Sequence, residues 1–194
     1  MATLGKGGMR TFHSEEPLRA NALLSLSLLS HLRLEGQVPS SKTSNLEGVH
    51  RAIAYLYRQG GLFDLAEKEY EEELRWNPLE GESRLRLGLY WLGRGDRERA
   101  RQNLEVASRV RQDSPKADQQ IGQGWLELAD FPKAESSLSS AIQDDPVDPF
   151  NHQLLAEVYE RTGRVDMAQK ERRLFGELSI KTGNVLTDAV PERE

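Results

Sequence analysis

The chain has 194 residues, a formal net charge of -5 and no cysteine. A length of this order accommodates one domain or a short array of repeats. The missing cysteines exclude a disulfide framework, a thiolate nucleophile and a cysteine-ligated zinc or iron–sulfur cluster, but they leave the compartment open. The acidic balance and the absence of a long Lys/Arg block disfavour nucleic acid as the main partner. No apolar run reaches the roughly 18 residues that a membrane span requires.

Residues 1–46 are predicted to be a separate N-terminal region. A Gly-rich, flexible start leads to the signature S-E-E-P at Ser14, which predicts a helix over 14–35 followed by a polar loop. The apolar stretch 20–32 resembles the core of a secretory signal, but Glu15 and Glu16 precede it and no small-residue cleavage site follows. A packed helix is therefore the favoured interpretation. Cytoplasmic localisation is favoured, with an exported or periplasmic protein as the alternative.

The strongest pattern in the sequence is a set of residues that recur every 34 positions. Counted back from each of four alanines, a small residue lies twelve positions earlier, an aromatic nine earlier and a large aliphatic thirteen earlier. The columns are Ala66, Ala100, Ala134 and Ala168; Ala54, Gly88, Gly122 and Ala156; Tyr57, Trp91, Trp125 and Tyr159; and Ile53, Leu87, Ile121 and Leu155. Four columns that agree in four registers indicate an internal repeat.

Each repeat also carries the signals of two helices joined by a turn. An Asp or Ser followed by proline, typical of a helix start, occurs at 113–115 and at Asp148-Pro149. Glycine or Asx residues mark the turns, at Gly60-Gly61, Gly95-Asp96, 130–132 and Gly163. The repeats are predicted at 47–80, 81–114, 115–148 and 149–182, with a tail over 183–194.

The columns resemble the tetratricopeptide repeat (TPR) family, whose pattern has an aliphatic, a small and an aromatic residue on the first helix, then alanine and an aromatic on the second. The resemblance covers residues 47–182 and implies an all-α, right-handed superhelical solenoid of tandem helix-turn-helix repeats, with an extra N-terminal helix. One column departs because polar residues replace an early aromatic: His50, Arg84, Asp118 and His152. Arg172 stands where a large apolar residue is expected, which predicts a wetter, capping last helix.

The resemblance also implies where a partner binds. In this family the first helices line a concave face, and ligands contact the positions that flank the packing columns. The corresponding residues here are Arg51, Tyr55 and Arg58 in the first repeat; Leu85, Leu89 and Leu92 in the second; Gln119, Gln123 and Leu126 in the third; and Gln153, Glu157 and Glu160 in the fourth. They predict a groove with a basic, aromatic end, an apolar middle, an amide-rich stretch and an acidic end.

Two uses of this groove stay open. A peptide or helix of a partner protein with apolar anchors and the opposite order of charge suits it, which predicts a non-catalytic scaffold or adaptor. Alternatively, residues 1–46 or a second copy of the chain cover its leucines. The alternative function is then a structural module whose repeats associate with each other in a homo-oligomer or dock onto other domains of a larger assembly. Some relatives hold the terminal carboxylate of a chaperone tail with Lys, Asn and Arg. Only Arg51 resembles that set, so such a partner is not expected.

No catalytic, cofactor or metal site is predicted. The chain has no nucleophile elbow, zinc-protease motif, P-loop or dinucleotide-binding fingerprint. His50 and His152 lie three repeats apart, about 30 Å if neighbouring repeats are separated by the usual helix–helix distance of roughly 10 Å, and so cannot share a metal. The glutamates around Tyr70 are expected to form a solvated helix face.

Overall fold

A computed structural model describes residues 48–110 and 116–183. These residues form eight α-helices and no strand, which confirms the predicted all-α class. The chain divides into two compact units, residues 1–78 and residues 79–194. The predicted helix at 14–35, the capping signal at 113–115 and the tail beyond 183 lie outside the described residues.

The first unit contains the helix pair of the first predicted repeat. Helix α1 spans Val49–Gln59 and helix α2 spans Phe63–Trp76. The aliphatic and small residues of the repeat columns, Ile53, Ala54 and Ala66, are buried, and so is Tyr70 of α2, whereas the column aromatic Tyr57 is half-buried. The contact between the two helices follows from the sequence pattern because small residues on both helices allow their backbones to approach closely.

Glu73 of α2 is buried, with 1% of its surface exposed. Its carboxylate accepts hydrogen bonds from the backbone N–H groups of Gly48, at 2.9 Å, and Arg51, at 3.2 Å. These N–H groups belong to the N-cap residue and the first turn of α1, where backbone donors have no partner within the helix. Glu73 thus caps α1 from the neighbouring helix. The expectation that the glutamates around Tyr70 form a solvated face is therefore wrong for this one.

Among the described residues, the second unit contains three helix pairs: α3 Gly81–Gly93 with α4 Arg97–Ala107, α5 Ala117–Glu127 with α6 Phe131–Asp144, and α7 Pro149–Arg161 with α8 Val165–Lys181. The pairs stack in chain order because both helices of one pair contact the first helix of the next: α3 and α4 contact α5, and α5 and α6 contact α7. This is the packing of a solenoid.

The small-residue column is a point of close contact within two of these pairs. A Cβ atom added to Gly88 would lie 2.8 Å from Cγ of Leu104, and one added to Gly122 would lie 2.6 Å from Cγ of Leu138. Both distances are shorter than carbon atoms tolerate. Glycine at these two positions is therefore what allows a leucine of the second helix to pack against the backbone of the first.

The turn between the two helices has the same backbone geometry in every repeat. The residue with a left-handed φ recurs at the 34-residue period, as Gly61 (72°), Gly95 (78°), Ala129 (57°) and Gly163 (74°). In each turn its N–H donates to the carbonyl three residues earlier, and the following N–H donates to the carbonyl five residues before it, at 2.8–3.0 Å. These two bonds form a Schellman motif, which ends the first helix.

Arg172 of α8 lies at the surface, as expected for a wetter last helix. Its side chain is exposed, and its Nη2 donates to Oε2 of Glu160 on α7 at 2.9 Å. The corresponding second-helix residues Leu104 and Leu138 are fully buried. The outermost helix of the second unit therefore replaces an apolar contact with an ion pair.

Reciprocal substitutions at the turn column should have opposite effects on stability. Ala129→Gly removes the steric cost of a left-handed L-residue and is expected to raise the free energy of unfolding by about 1 kcal/mol. Gly163→Ala introduces that cost and should lower it by about 1–2 kcal/mol. Urea unfolding monitored by circular dichroism measures both. Changes of the same sign in the two variants would contradict the assigned turn geometry.

The glycine contact can be tested with two Gly→Ala substitutions within helices. Gly122→Ala places a methyl group against Leu138 and should destabilise the protein by about 1–3 kcal/mol, because overpacking exceeds the gain in helix propensity. Gly176→Ala in α8 has no atom within 4 Å of the added methyl group and should stabilise by up to about 1 kcal/mol. Thermal and urea unfolding of both variants check this, and equal effects would refute the close contact.

Candidate protein-binding surface

The first helices α3, α5 and α7 of the second unit lie side by side and form one layer. Each uses one face to bury its column residues against its own second helix. Those column residues are Leu87, Ile121 and Leu155, all of which are buried. The remaining face of the layer carries most of the residues that the sequence predicts to contact a partner.

Two of the predicted contact residues belong to the core instead. Leu85 of α3 has 0% of its surface exposed and Leu126 of α5 has 3%. Both are part of the continuous apolar core of the second unit. Their prediction as partner-binding residues is wrong, because neighbouring first helices contact each other and bury positions that would be free on an isolated helix.

The central part of the layer combines partly buried leucines with exposed amides. Leu89 and Leu92 of α3 pack against the core but keep part of their surface accessible. Gln123 of α5 and Gln153 of α7 are exposed. We call these four residues the first-helix surface. It offers apolar area beside amide groups that can donate and accept hydrogen bonds.

Gln119 is held by its own neighbours. Its Nε2 donates to Asn151 Oδ1 at 2.8 Å and to Asp148 Oδ2 at 3.1 Å. Asp148 is the N-cap of α7 and accepts from the N–H of Phe150, so the predicted capping signal is confirmed. The amide of Gln119 therefore joins α5 to the start of α7, and this side chain positions the two helices.

The predicted acidic end of the groove is balanced by arginines. Glu157 lies 3.7 Å from Arg161 on the same helix. Glu160 accepts hydrogen bonds from Arg172, which lower the pKa of this carboxyl group. Arg161 also donates to the backbone carbonyl of Leu126 at 3.1 Å. A partner therefore meets both signs of charge along α7.

In the first unit, α1 carries the three residues predicted for the basic, aromatic end. Tyr55 is 50% exposed, and the guanidinium of Arg58 lies 5.6 Å from the centre of its ring. Arg51 is half-buried at the start of the helix. Tyr55 and Arg58 thus form a cation–π pair at the surface of the first unit.

The polar column that departs from the family pattern forms a recurring pair with the second helix. His50 Nδ1 lies 2.7 Å from Glu69 Oε2, and His152 Nδ1 lies 2.7 Å from Glu171 Oε2. Arg84 Nη1 donates to Asn103 Oδ1 at 3.1 Å. Both partners of each pair are at least partly shielded from water, so the bonds satisfy groups that would be costly to bury alone.

Sequence inspection missed these pairs although a signal was present. Each partner lies 19 residues after its column residue, so the acceptors Glu69, Asn103 and Glu171 form a column of their own. The pairing becomes evident only when the polar column of the first helices and the acceptor column of the second helices are compared by their ability to form hydrogen bonds, and not by side-chain size. Glu69, expected on a solvated face, is therefore engaged with His50.

The third repeat breaks this pattern. Asp118 is the column residue and Ser137 is its counterpart, and no hydrogen bond joins the two in the part of the chain that the structure describes. Burial raises the pKa of Asp118 above its ordinary value, and the nearby charge of Asp144 raises it further. The surroundings of Asp118 therefore disfavour the charged form of its carboxyl group.

Neither a metal centre nor a membrane span is found among the described residues. Within 48–110 and 116–183, no group of three His, Cys, Asp or Glu side chains could hold a metal ion. None of the described helices is both long and apolar enough to cross a bilayer.

No protein-family model matches the chain, and no curated protein matches it. Solved structures of MamA are similar: one has a TM-score of 0.68 and 15% identity over 91% of this chain and 100% of that chain. Another crystal structure of the MamA protein has a TM-score of 0.63 and 18% identity over 90% and 95%. The C-terminal part of a TPR repeat-containing protein from Cytophaga hutchinsonii has a TM-score of 0.62 and 16% identity over 89% and 70%.

These likenesses and the buried repeat columns define the class of protein. The chain has a TPR-like fold built of helix-turn-helix repeats, as the 34-residue pattern predicts. At this level of identity the solved structures show the fold alone, and the role of the surface has to be argued from its own residues.

The setting of Asp118 predicts that Asp118→Asn stabilises the protein at pH 7. A raised pKa means that the folded state holds the proton more tightly than the unfolded chain, so folding stability falls as the pH rises through the folded-state pKa. Asparagine cannot ionise, so the variant does not undergo this loss of folding stability. The gain in the free energy of unfolding should shrink as the pH approaches 3.8, the ordinary pKa, and urea unfolding across this range measures it.

Asp166→Asn is the matched control for a first-turn aspartate, since Asp166 is exposed at the start of α8. It should lower stability by a few tenths of a kcal/mol through the weakened interaction with the helix dipole. A stabilising effect there, or a destabilising one for Asp118→Asn, would contradict the assignment.

Proposed function

We propose that the protein is a non-catalytic interaction scaffold that binds a peptide or helix of a partner protein on the layer of first helices. The observation that carries this proposal is the first-helix surface, where Leu89 and Leu92 remain partly accessible beside Gln123 and Gln153. Binding through apolar anchors with amide groups around them is a common way to hold an extended or helical segment. The proposed contacts extend along α7 to Glu157 and Glu160.

The separation between packing residues and surface residues supports this function. The aliphatic and small column residues are buried and fix the helix pairs, while Gln123 and Gln153 are exposed and contribute nothing to the core. Side chains with no packing role are free to be selected for recognition. Tyr55 and Arg58 of the first unit, also at the surface, are proposed as further partner contacts.

The charge on α7 favours a partner segment of mixed charge. Glu157 and Glu160 lie close to Arg161 and Arg172, so no single sign dominates there. A strongly basic segment would meet the arginines as well as the glutamates. The main contribution to affinity is therefore expected from apolar anchors against Leu89 and Leu92, with charge selecting the orientation.

A matched pair of substitutions tests the surface. A photo-crosslinking residue is introduced at position 123, on the layer of first helices, or at the exposed Gln143 of the second helix α6. Crosslinked proteins are identified in the source cell, and the purified partner is titrated against Gln123→Arg and Gln143→Arg. We expect Gln123→Arg to weaken binding about tenfold or more, at a cost of roughly 1.4 kcal/mol, and Gln143→Arg to leave it unchanged.

The same variants and crosslinking experiments distinguish the other possible outcomes. Equal weakening by both variants would place the contact elsewhere and contradict the proposed surface. Crosslinks only to the chain itself, with a dimer in light scattering that Gln123→Arg converts to a monomer, would replace partner binding by self-association. Circular dichroism of both variants, expected to match the wild type because both sites are exposed, excludes unfolding as the cause.

A further inference from the structure

The polar pairs follow a donor-to-acceptor rule that the third repeat reverses. In the second repeat a guanidinium of the first helix donates to a side-chain oxygen of the second, from Arg84 to Asn103. In the first and fourth repeats an imidazole nitrogen faces a carboxylate. In the third repeat the residues at the corresponding positions are Asp118, a carboxylate, and Ser137, a hydroxyl. No hydrogen bond joins these two among the described residues, and neither position carries a nitrogen group.

Short side chains on α6 leave space at this place. Ser136, Ser137 and Ser140 stand where α4 has Gln102, Asn103 and Val106 and where α8 has Lys170, Glu171 and Leu174. A cavity of about 840 Å³ lies here, lined by the three serines together with Asp118, Trp125, Asp144 and Asn151. Its volume is sufficient for an amino-acid side chain and several waters.

The positively charged residues around the cavity are already paired with other carboxylates. Lys133 contacts Glu105 and Asp130, and Arg109 lies 2.6 Å from Glu105. Lys116 lies 3.5 Å from Asp148. None of these ion pairs involves Asp118 or Asp144. The charge of Asp144 also acts on Asp118, so the two carboxyl groups repel each other across the cavity.

We propose that this cavity binds an arginine side chain of a partner protein, whose guanidinium pairs with Asp118 and Asp144. The guanidinium would take the place that Arg84 occupies in the second repeat, and it has the donors to bond two carboxylates and a serine hydroxyl. The aromatic face of Trp125 is covered by Lys133, at 4.4 Å from the ring centre, so recognition depends on the carboxylates. This site uses none of the residues of the first-helix surface.

Arginine and citrulline analogues test the proposal. N-acetyl-arginine methylamide is titrated into the ¹⁵N-labelled full-length protein, and N-acetyl-citrulline methylamide, which has the same shape without the charge, serves as the control ligand. We expect the arginine analogue to shift the backbone amide signals of Asp118, Ser137 and Ser140 in a saturable way. The citrulline analogue should bind at least about tenfold more weakly, because charge-assisted hydrogen bonds are lost.

Variants of the two carboxylates identify the site. Asp118→Asn and Asp144→Asn should each weaken binding of the arginine analogue, and the double variant should abolish the saturable shifts. Asp166→Asn, at an exposed aspartate of α8 that does not line the cavity, should leave them unchanged. Equal binding of both analogues, or unchanged binding by the double variant with its native spectrum retained, would overturn the proposal. Shifts spread over other acidic surfaces instead of the cavity would also overturn it.

Discussion

The contact between a glycine of the first helix and a leucine of the second sets the geometry of two of the three helix pairs in the second unit. At Gly88 and Gly122 there is no room for one additional carbon atom, so the backbone of one helix lies directly against a side chain of the other. The short separation between the two helices determines where each turn must place the start of the second helix. The left-handed residue of the turn therefore recurs at the same period as the contact, even where it is Ala129 and the conformation is costly.

The packing columns and turns could be predicted from the sequence because they are local and repeat. Ile53, Leu87, Ile121 and Leu155 are all buried as their column indicates. The accessibility of the remaining positions could not be predicted, since it depends on which helices lie beside each other. Leu85 and Leu126 were assigned to the surface by analogy with a family, yet neighbouring helices bury them.

The polar contacts show a second limit of sequence reasoning. Glu73 stands where the next two repeats have Ala107 and Ala141, and it is buried because backbone N–H groups at the start of α1 need an acceptor. Its sequence neighbours are charged, which suggests a solvated face. Only the geometry of the pair distinguishes a capping glutamate from a solvated one. In the same way, the partners of the polar column are defined by a register of 19 residues, which becomes evident only when the column of acceptors is compared with the polar column.

Because the polar column is separate from the apolar columns, a repeat can lose its pair without losing its fold. In the third repeat Ile121, Trp125 and Leu138 remain fully buried although no hydrogen bond joins Asp118 to Ser137 among the described residues. The space that results is lined by hydroxyl, amide and carboxyl groups, so water can fill it at little cost, unlike an apolar void. A scaffold of this kind can therefore acquire a charged recess within one repeat while the stacking of the repeats, and any surface on their first helices, stays as it was.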